Sequence, residues 1–515
     1  MQMTMSLHRE VQQCPGRPFT VYGDRVRTVA ESVDRIARVA GALQSLGVAE
    51  GDRVGMLALN SDRFHEYLFA VPWAGAAVNP VNIRWSPAEI AYSLIDCDTR
   101  VLLVDDAFLP MLPALREQMP DLQTVVYCGE GSAPEGTVDY EQLVARTEPV
   151  EDARRSGDDL YGVFYTGGTT GFPKGVMISH RNLLTSAYAI GGSGHILNGE
   201  PRLLTAAPMF HLAAIGAWST GNLRHTTNVI IPMFTPAGVV EAIERHEVTD
   251  MLLVPTMIQM VVDAPETATA NLSSLRGILY GASPISEALL ERARKTFVSA
   301  GFTQAYGMTE LAPLACILTP TDHEDPTLTR AAGRAGSCVE VKIVDPVGGE
   351  VPRGEVGEIA VRGDNVMQGY WGKPEATAEA IRDGWMHTGD GGRMDERGYV
   401  FIVDRIKDMI ISGGENVYSA EVENALAKHD AVASCAVIGI PDDQWGERVH
   451  AVVVLHPDVP LNADELTDFC RTHIANYKVP RSVAFVDSLP MSGAGKILKR
   501  ELRAMHWGEN GRQVN

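Results

Sequence analysis

Residues 165–175 read YTGGTTGFPKG, a run in which three glycines and three threonines precede a lysine. Glycines let backbone N–H groups turn toward anionic oxygens, hydroxyls add donors, and Lys174 supplies a positive charge, so the run is suited to holding phosphates. It is not a Walker loop, because Pro173 stands where GxxxxGK[ST] requires glycine. Further short stretches place carboxylates, hydroxyls and lysines beside small residues: GAS at 281–283, QAYGMTE at 304–310, WMHTGD at 385–390, DRIKDMIISGGEN at 404–416 and LPMSGAGK at 489–496. Alone, a TGD turn or a DR pair is more often structural than functional, and an exposed lysine is usually a solvated charge. Their joint order gives them weight.

These stretches need a scaffold. From Arg17 the chain alternates short β-type runs with helical periodicity. FTVYGDRVRTV reads as a hairpin, ESVDRIARVAGALQSLG as an amphipathic helix, and DRVGMLAL as a buried strand. Strand-helix alternation implies parallel sheets covered by helices on both faces, with ligands beyond the carboxyl ends of the strands. VTDMLLVPT and LRGILYGAS continue the pattern, with a helix from Met257 between them. From about Cys338 the texture changes to hairpins rich in turn residues, the pattern of a distorted β-barrel appended to the sheets. After residue 404 a small α/β unit is expected, with helices over 419–428 and 463–474 and strands at ASCAVIGI and HAVVVLHP. The domains expected are therefore 1–404 and 405–515.

Composition narrows the function classes. A chain of 515 residues, 45% hydrophobic and 21% charged, is long enough for at least two cores and a solvent-excluded site. The net charge of -21 opposes a nucleic-acid backbone, so no nucleic-acid partner is expected. No run approaches the roughly 18 apolar residues of a membrane helix, and the first residues lack a signal-peptide core, so a cytoplasmic protein without integral membrane contact is the expectation. The seven cysteines include no CxxC pair and read as buried thiols. A homodimer is the assembly to expect on frequency alone.

The six motifs resemble, in order, those of the acyl- and aryl-CoA synthetase, luciferase and peptide-synthetase adenylation superfamily, and the resemblance runs over residues 16–502. It implies an α/β fold: a large N-terminal domain of two doubly wound subdomains plus a distorted β-barrel, and a small mobile C-terminal domain. It implies an AMP-forming acid–CoA ligase that uses ATP, Mg²⁺ and coenzyme A. Thr166, Gly167, Gly168, Thr169, Thr170, Gly171 and Lys174 would hold the phosphates. Gly167 stands where the family usually has serine. Gly281, Ala282 and Ser283 would lie against adenine, followed by Gln304, Ala305, Tyr306, Gly307, Met308 and Thr309. Tyr306 would stack on the base, Thr309 would donate to the α-phosphate, and Glu310 would hold Mg²⁺. Asp390 and Arg405 would bind the ribose. Lys407 would be the hinge, and Gly413 and Gly414 would line the tunnel for the coenzyme A thiol. Lys496 would stabilise the adenylation transition state, with Thr166, Glu310 and His211 as further catalytic residues. PMFHLAAIGAW, from Pro208 to Trp218, resembles the border of the acyl pocket, whose wall would include His211, Ala214, Trp218, Gly281 and Gly307.

Three rivals follow from the same family: an enzyme that loads a carrier protein or an amino acid, a non-catalytic relative, and a luciferase-like oxygenase. PMFHLAAIG lacks the aspartate that amino-acid activators use, and Lys496, Glu310 and Asp390, the residues a degenerate relative loses first, are all retained. Fatty, aryl and polycyclic acids all suit an apolar pocket. Lys496→Ala is expected to abolish acyl-adenylate formation while sparing thioester formation from synthetic acyl-adenylate; equal loss of both half-reactions would refute that division. Gly414→Leu should show the reverse pattern in the same two assays.

Overall fold

The computed structural model describes residues 1–122, 124–166, 173–405, 408–412, 415–442, 444–457, 459–491 and 497–507. Two large sheets form its centre. One has eight strands in the order Gly369–Tyr370, Lys174–Ser179, Leu160–Thr166, Ala77–Pro80, Arg53–Leu57, Val101–Val104, Thr124–Tyr127 and Val138–Asp139. From Leu160–Thr166 onward its pairings are parallel; the two edge strands before it are antiparallel. The other has nine strands, in which Gly301–Tyr306, Gly277–Gly281, Asp250–Leu253, Arg202–Thr205, Thr227–Ile230 and Pro18–Tyr22 run parallel in that order. The hairpin of Pro18–Tyr22 and Arg25–Thr28 forms as its alternation predicts, but it edges this second sheet and not the sheet built from the segments that follow it.

A third, antiparallel sheet of Val339–Val344, Gly357–Gly363, Trp385–Met394, Ile381–Arg382 and Val400–Arg405 stands where the barrel was expected. A fourth lies in the carboxyl-terminal part, built from Glu415–Val417, Ile410–Ser412, Gly446–Leu455, Val432–Asp442 and Ser482–Phe485. Its helices Ser419–Leu426 and Ala463–Arg471 end earlier than their periodicity suggests. The helix after Asp250–Leu253 begins at Pro255, two residues before Met257, because proline fits the first helical turn, where its missing N–H is not needed.

The helix Asp62–Trp73 is buried along its whole length and shares one apolar core with residues of both large sheets. Its charges are therefore met by partners. Asp62, 1% exposed, takes 2.6 and 2.8 Å bonds from Arg25 and a further contact from Arg27, while Glu66 is paired with Arg35 at 2.6 Å and accepts the Tyr140 hydroxyl at 2.7 Å. Helices flanking the sheets start at side-chain caps: Thr28 with Glu31 for Val29–Ser45, Ser86 with Glu89 for Pro87–Asp96, and Ser179 with Asn182 for His180–Gly192.

Because a buried ion left without its partner is expensive, Asp62→Ala is expected to destabilise the large domain by about 3–5 kcal/mol. Arg25→Ala, at a side chain 29% exposed, should cost less. Chemical denaturation of both variants checks this, and equal losses would overturn the ranking.

Candidate active site

The strand Leu160–Thr166 and its antiparallel neighbour Lys174–Ser179 bracket the glycine-threonine stretch. Thr166 and Lys174 are paired across the two strands, and the Thr166 hydroxyl donates to the Lys174 carbonyl at 3.5 Å. Tyr165 anchors the start of the run through its hydroxyl, which donates to Asp96 at 2.7 Å. The ammonium of Lys174 lies 4.9 Å from the centre of the Tyr370 ring, and the Tyr370 hydroxyl donates to Glu310 at 2.9 Å. One tyrosine thus connects the lysine of the first motif with the carboxylate of the third. Burial, reinforced by the Glu310 charge, pushes the Tyr370 phenol far above its usual range, so it stays a donor.

Glu310 lies in the short 3₁₀ turn Thr309–Leu311 and is 7% exposed. Tyr306 closes the strand Gly301–Tyr306, and its hydroxyl donates to Asp390 at 2.7 Å. This bond joins the third motif to the fourth. Burial raises the Tyr306 phenol strongly, with Asp390 adding to the effect, so this hydroxyl also remains protonated. Asp390 and Arg405 sit opposite each other in the third sheet.

Gly281 and Ala305 pair where two parallel strands end, and a β-carbon on Gly281 would collide with the Ala305 carbonyl. One on Gly307 would collide with the Pro313 carbonyl. Both positions are closed to any side chain. Ala282 follows with φ +66°, a left-handed conformation that a non-glycine residue adopts at a cost and that concentrates at functional turns. Ser283 continues this turn, Gln304 is half-buried beside Tyr280, and Met308 packs against the main core.

His211 is the N-cap of the helix Leu212–Asn222, and its Nδ1 accepts the Ala213 N–H at 3.3 Å, which puts the proton of the neutral ring on Nε2. Ala214 and Trp218 lie on that helix, both buried. Trp218, expected in the acyl wall, is held in the core: it is 1% exposed, its indole N–H donates to His65 Nδ1 at 2.9 Å, and its ring centre is 4.6 Å from that of Phe69. Residues 167–171, Lys407, Gly413, Gly414 and Lys496 lie outside the described residues, and Arg405 is described by its backbone alone. Tyr370, in the run GYWGK at 369–373, is not among the residues the sequence singles out; its position on the edge strand Gly369–Tyr370 brings it to the site.

Among the described residues, no helix is long and apolar enough to cross a membrane. The model of the AMP-binding enzyme family matches residues 7–371, and that of the AMP-binding enzyme C-terminal domain matches residues 421–496. The chain is 41% identical over 500 residues to a feruloyl-CoA synthase of an Amycolatopsis species, covering 96% of this chain and 97% of that protein. It is 37% identical to the fatty acid–[acyl-carrier-protein] ligase ScoC of Streptomyces coeruleorubidus, covering 99% of this chain and 97% of the relative. The crystal structure of the anthranilate CoA ligase AuaEII in complex with anthranoyl-AMP superposes with a TM-score of 0.92 at 27% identity, over 98% of this chain and 97% of the other. The two family matches fall in order on the large sheets and the small carboxyl-terminal sheet, and the likeness to a solved structure extends over nearly the whole length; the chain belongs to the AMP-binding enzyme family.

Proposed function

We propose that this protein is an ATP-dependent, AMP-forming acid–CoA ligase acting on a fatty or aromatic carboxylic acid. The observation that carries the reading is the Lys174–Tyr370–Glu310 contact, which gathers a cation, a buried carboxylate and a hydroxyl at the ends of the phosphate-loop strands. A carboxylate oxygen attacks the α-phosphorus of ATP and pyrophosphate leaves; the coenzyme A thiol then attacks the acyl carbon of the mixed anhydride and AMP leaves. Lys174 and the backbone of 167–171 hold the phosphates, Asp390 and Arg405 the ribose, and Lys496 balances charge on the pentavalent phosphorus. Thr309 donates to the α-phosphate. Mg²⁺ arrives with ATP. A single buried carboxylate such as Glu310 suits an ion that keeps water and phosphate oxygens as its other ligands, where it would neutralise phosphate charge.

The carboxyl-terminal domain begins after Asp404 and turns about Lys407, taking one orientation for each half-reaction. The strands support a division close to that point, between Arg405 and Ile410: Val400–Arg405 belongs to the third sheet and Ile410–Ser412 to the fourth. Gly413 and Gly414 are assigned to the tunnel for the thiol on their place in the motif alone. His211 and Ala214 border the acyl group, with Gly281 and Gly307 as its floor. The reaction belongs in the cytoplasm, where ATP and coenzyme A are supplied. The names of the feruloyl-CoA synthase and of the anthranoyl-AMP complex favour testing aromatic acids first. The name of ScoC keeps a carrier protein as the second acceptor to test.

Pyrophosphate release with Mg-ATP across aromatic, fatty and polycyclic acids, with and without coenzyme A, decides between them. Turnover that requires coenzyme A and peaks on aromatic or fatty acids is the expected outcome; single-turnover bursts indifferent to coenzyme A would move the acceptor to a carrier protein. Tyr306→Phe removes one donor from Asp390 and should raise KM for ATP on the order of tenfold, with a smaller change in kcat. An unchanged KM would separate that hydroxyl from nucleotide binding.

A further inference from the structure

Behind Gln304 lies a buried hydrogen-bond chain that the phosphate, ribose and acyl contacts do not use. His323 Nδ1 is 2.7 Å from the Thr319 carbonyl, which can only accept, so Nδ1 carries a proton. His323 Nε2 is 2.8 Å from the Tyr280 hydroxyl, and that hydroxyl is 3.0 Å from Gln304 Oε1, an atom that a half-turn of the amide exchanges with Nε2. Tyr280 and His323 are 1% and 5% exposed, so water does not complete the pattern. Tyr280 and Gln304 are register partners at the ends of neighbouring parallel strands. Gln304 makes no other side-chain hydrogen bond among the described residues.

The Tyr280 hydroxyl has one proton, and two arrangements satisfy the chain. If His323 carries protons on both nitrogens, Tyr280 accepts from Nε2 and donates to Gln304 Oε1, which leaves the amide NH2 facing outward. If His323 is neutral, Nε2 accepts a hydrogen bond from the Tyr280 hydroxyl. The Tyr280 oxygen must then accept from the amide NH2, and Gln304 Oε1 faces outward. Burial disfavours the imidazolium, and Arg294, which donates to the His323 carbonyl at 3.3 Å, opposes it too, against the contrary pull of the Thr319 carbonyl and Asp322. The neutral arrangement is the one populated at neutral pH.

We propose that Tyr280 and His323 form a relay that fixes the Gln304 amide with its carbonyl oxygen toward the nucleobase, making His323 a positioning residue that selects a 6-aminopurine over a 6-oxopurine. The inference rests on the adenylation reading, which puts the base beside Gln304. An outward Oε1 accepts from an exocyclic amine and repels a carbonyl at the same place. Released from the relay, the amide can present either end.

The test compares equilibrium binding of ATP and inosine triphosphate to the full chain, together with pyrophosphate release from each. His323→Leu and Tyr280→Phe are expected to narrow the ATP preference about tenfold, the worth of one hydrogen bond exchanged for a repulsion, with kcat at saturating ATP within about twofold. His323→Gln, which offers an acceptor to Tyr280 and a donor to Thr319, should restore the preference. Tyr280→Phe keeps the packed ring and so remains informative if the leucine variant folds poorly. An unchanged ratio of the two affinities in folded His323→Leu and Tyr280→Phe would overturn the relay while leaving the ligase reading intact. A wild-type chain that binds neither nucleotide would remove both.

Discussion

The site depends on a fixed relation between the two large sheets, since each contributes only part of the chemistry. The segment from Asp364 to Trp371 performs this joining. Asn182, on the helix after the phosphate-loop strands, donates to the carbonyls of Asp364 and Val366 at 2.8 Å. Asn365 donates to those of Leu311 and Leu314 at 3.2 and 2.6 Å, beyond the last parallel strand of the nine-stranded sheet. Gly369–Tyr370 then pairs with Lys174–Ser179, and the Trp371 indole donates to the Asp96 carbonyl at 2.9 Å. Because buried polar groups must be satisfied, these bonds set the spacing between the sheets closely. The Tyr370 contact to Glu310 is a by-product of that joining.

Parallel strands make this seam a place suited to ligands. Their carboxyl ends open at the turn beyond the sheet, where backbone groups have no further strand to pair with. Glycines at 281 and 307 let neighbouring backbones approach as closely as side-chain-free contact allows, and the left-handed Ala282 turns the chain there. Strain and close approach are tolerated because cores on both sides of the strands over-determine the geometry.

Much of this was legible in the sequence. The alternation of strand and helix, the hairpin at Pro18–Thr28 and the antiparallel texture after Cys338 follow from side-chain periodicity, which is local. The motif stretches stand out by residue type and order. Three things were not. Trp218 reads as pocket wall because aromatic residues suit both walls and cores; only the approach of His65, far away in the chain, turns it inward. Tyr370 and the Tyr280–His323 pair act through contacts between distant segments, and a single sequence contains no signal for such proximity. Helix ends are hidden where apolar periodicity continues past the last hydrogen-bonded turn, as after Arg471.

The pairing of the hairpin with a distant strand has a consequence for how the chain is made. Val21 lies beside Val229, so the strand Pro18–Tyr22 cannot complete its sheet until more than two hundred further residues have been synthesised. At typical elongation rates that interval is roughly 10 to 40 seconds, during which an apolar β-type edge with no partner is exposed to other nascent chains. The eight-stranded sheet draws seven of its strands, between Arg53 and Ser179, from within that interval, and these can pair before its edge strand Gly369–Tyr370 is made. The nine-stranded sheet gathers strands from Pro18 to Ala335, so its pairing waits on the synthesis of most of the chain.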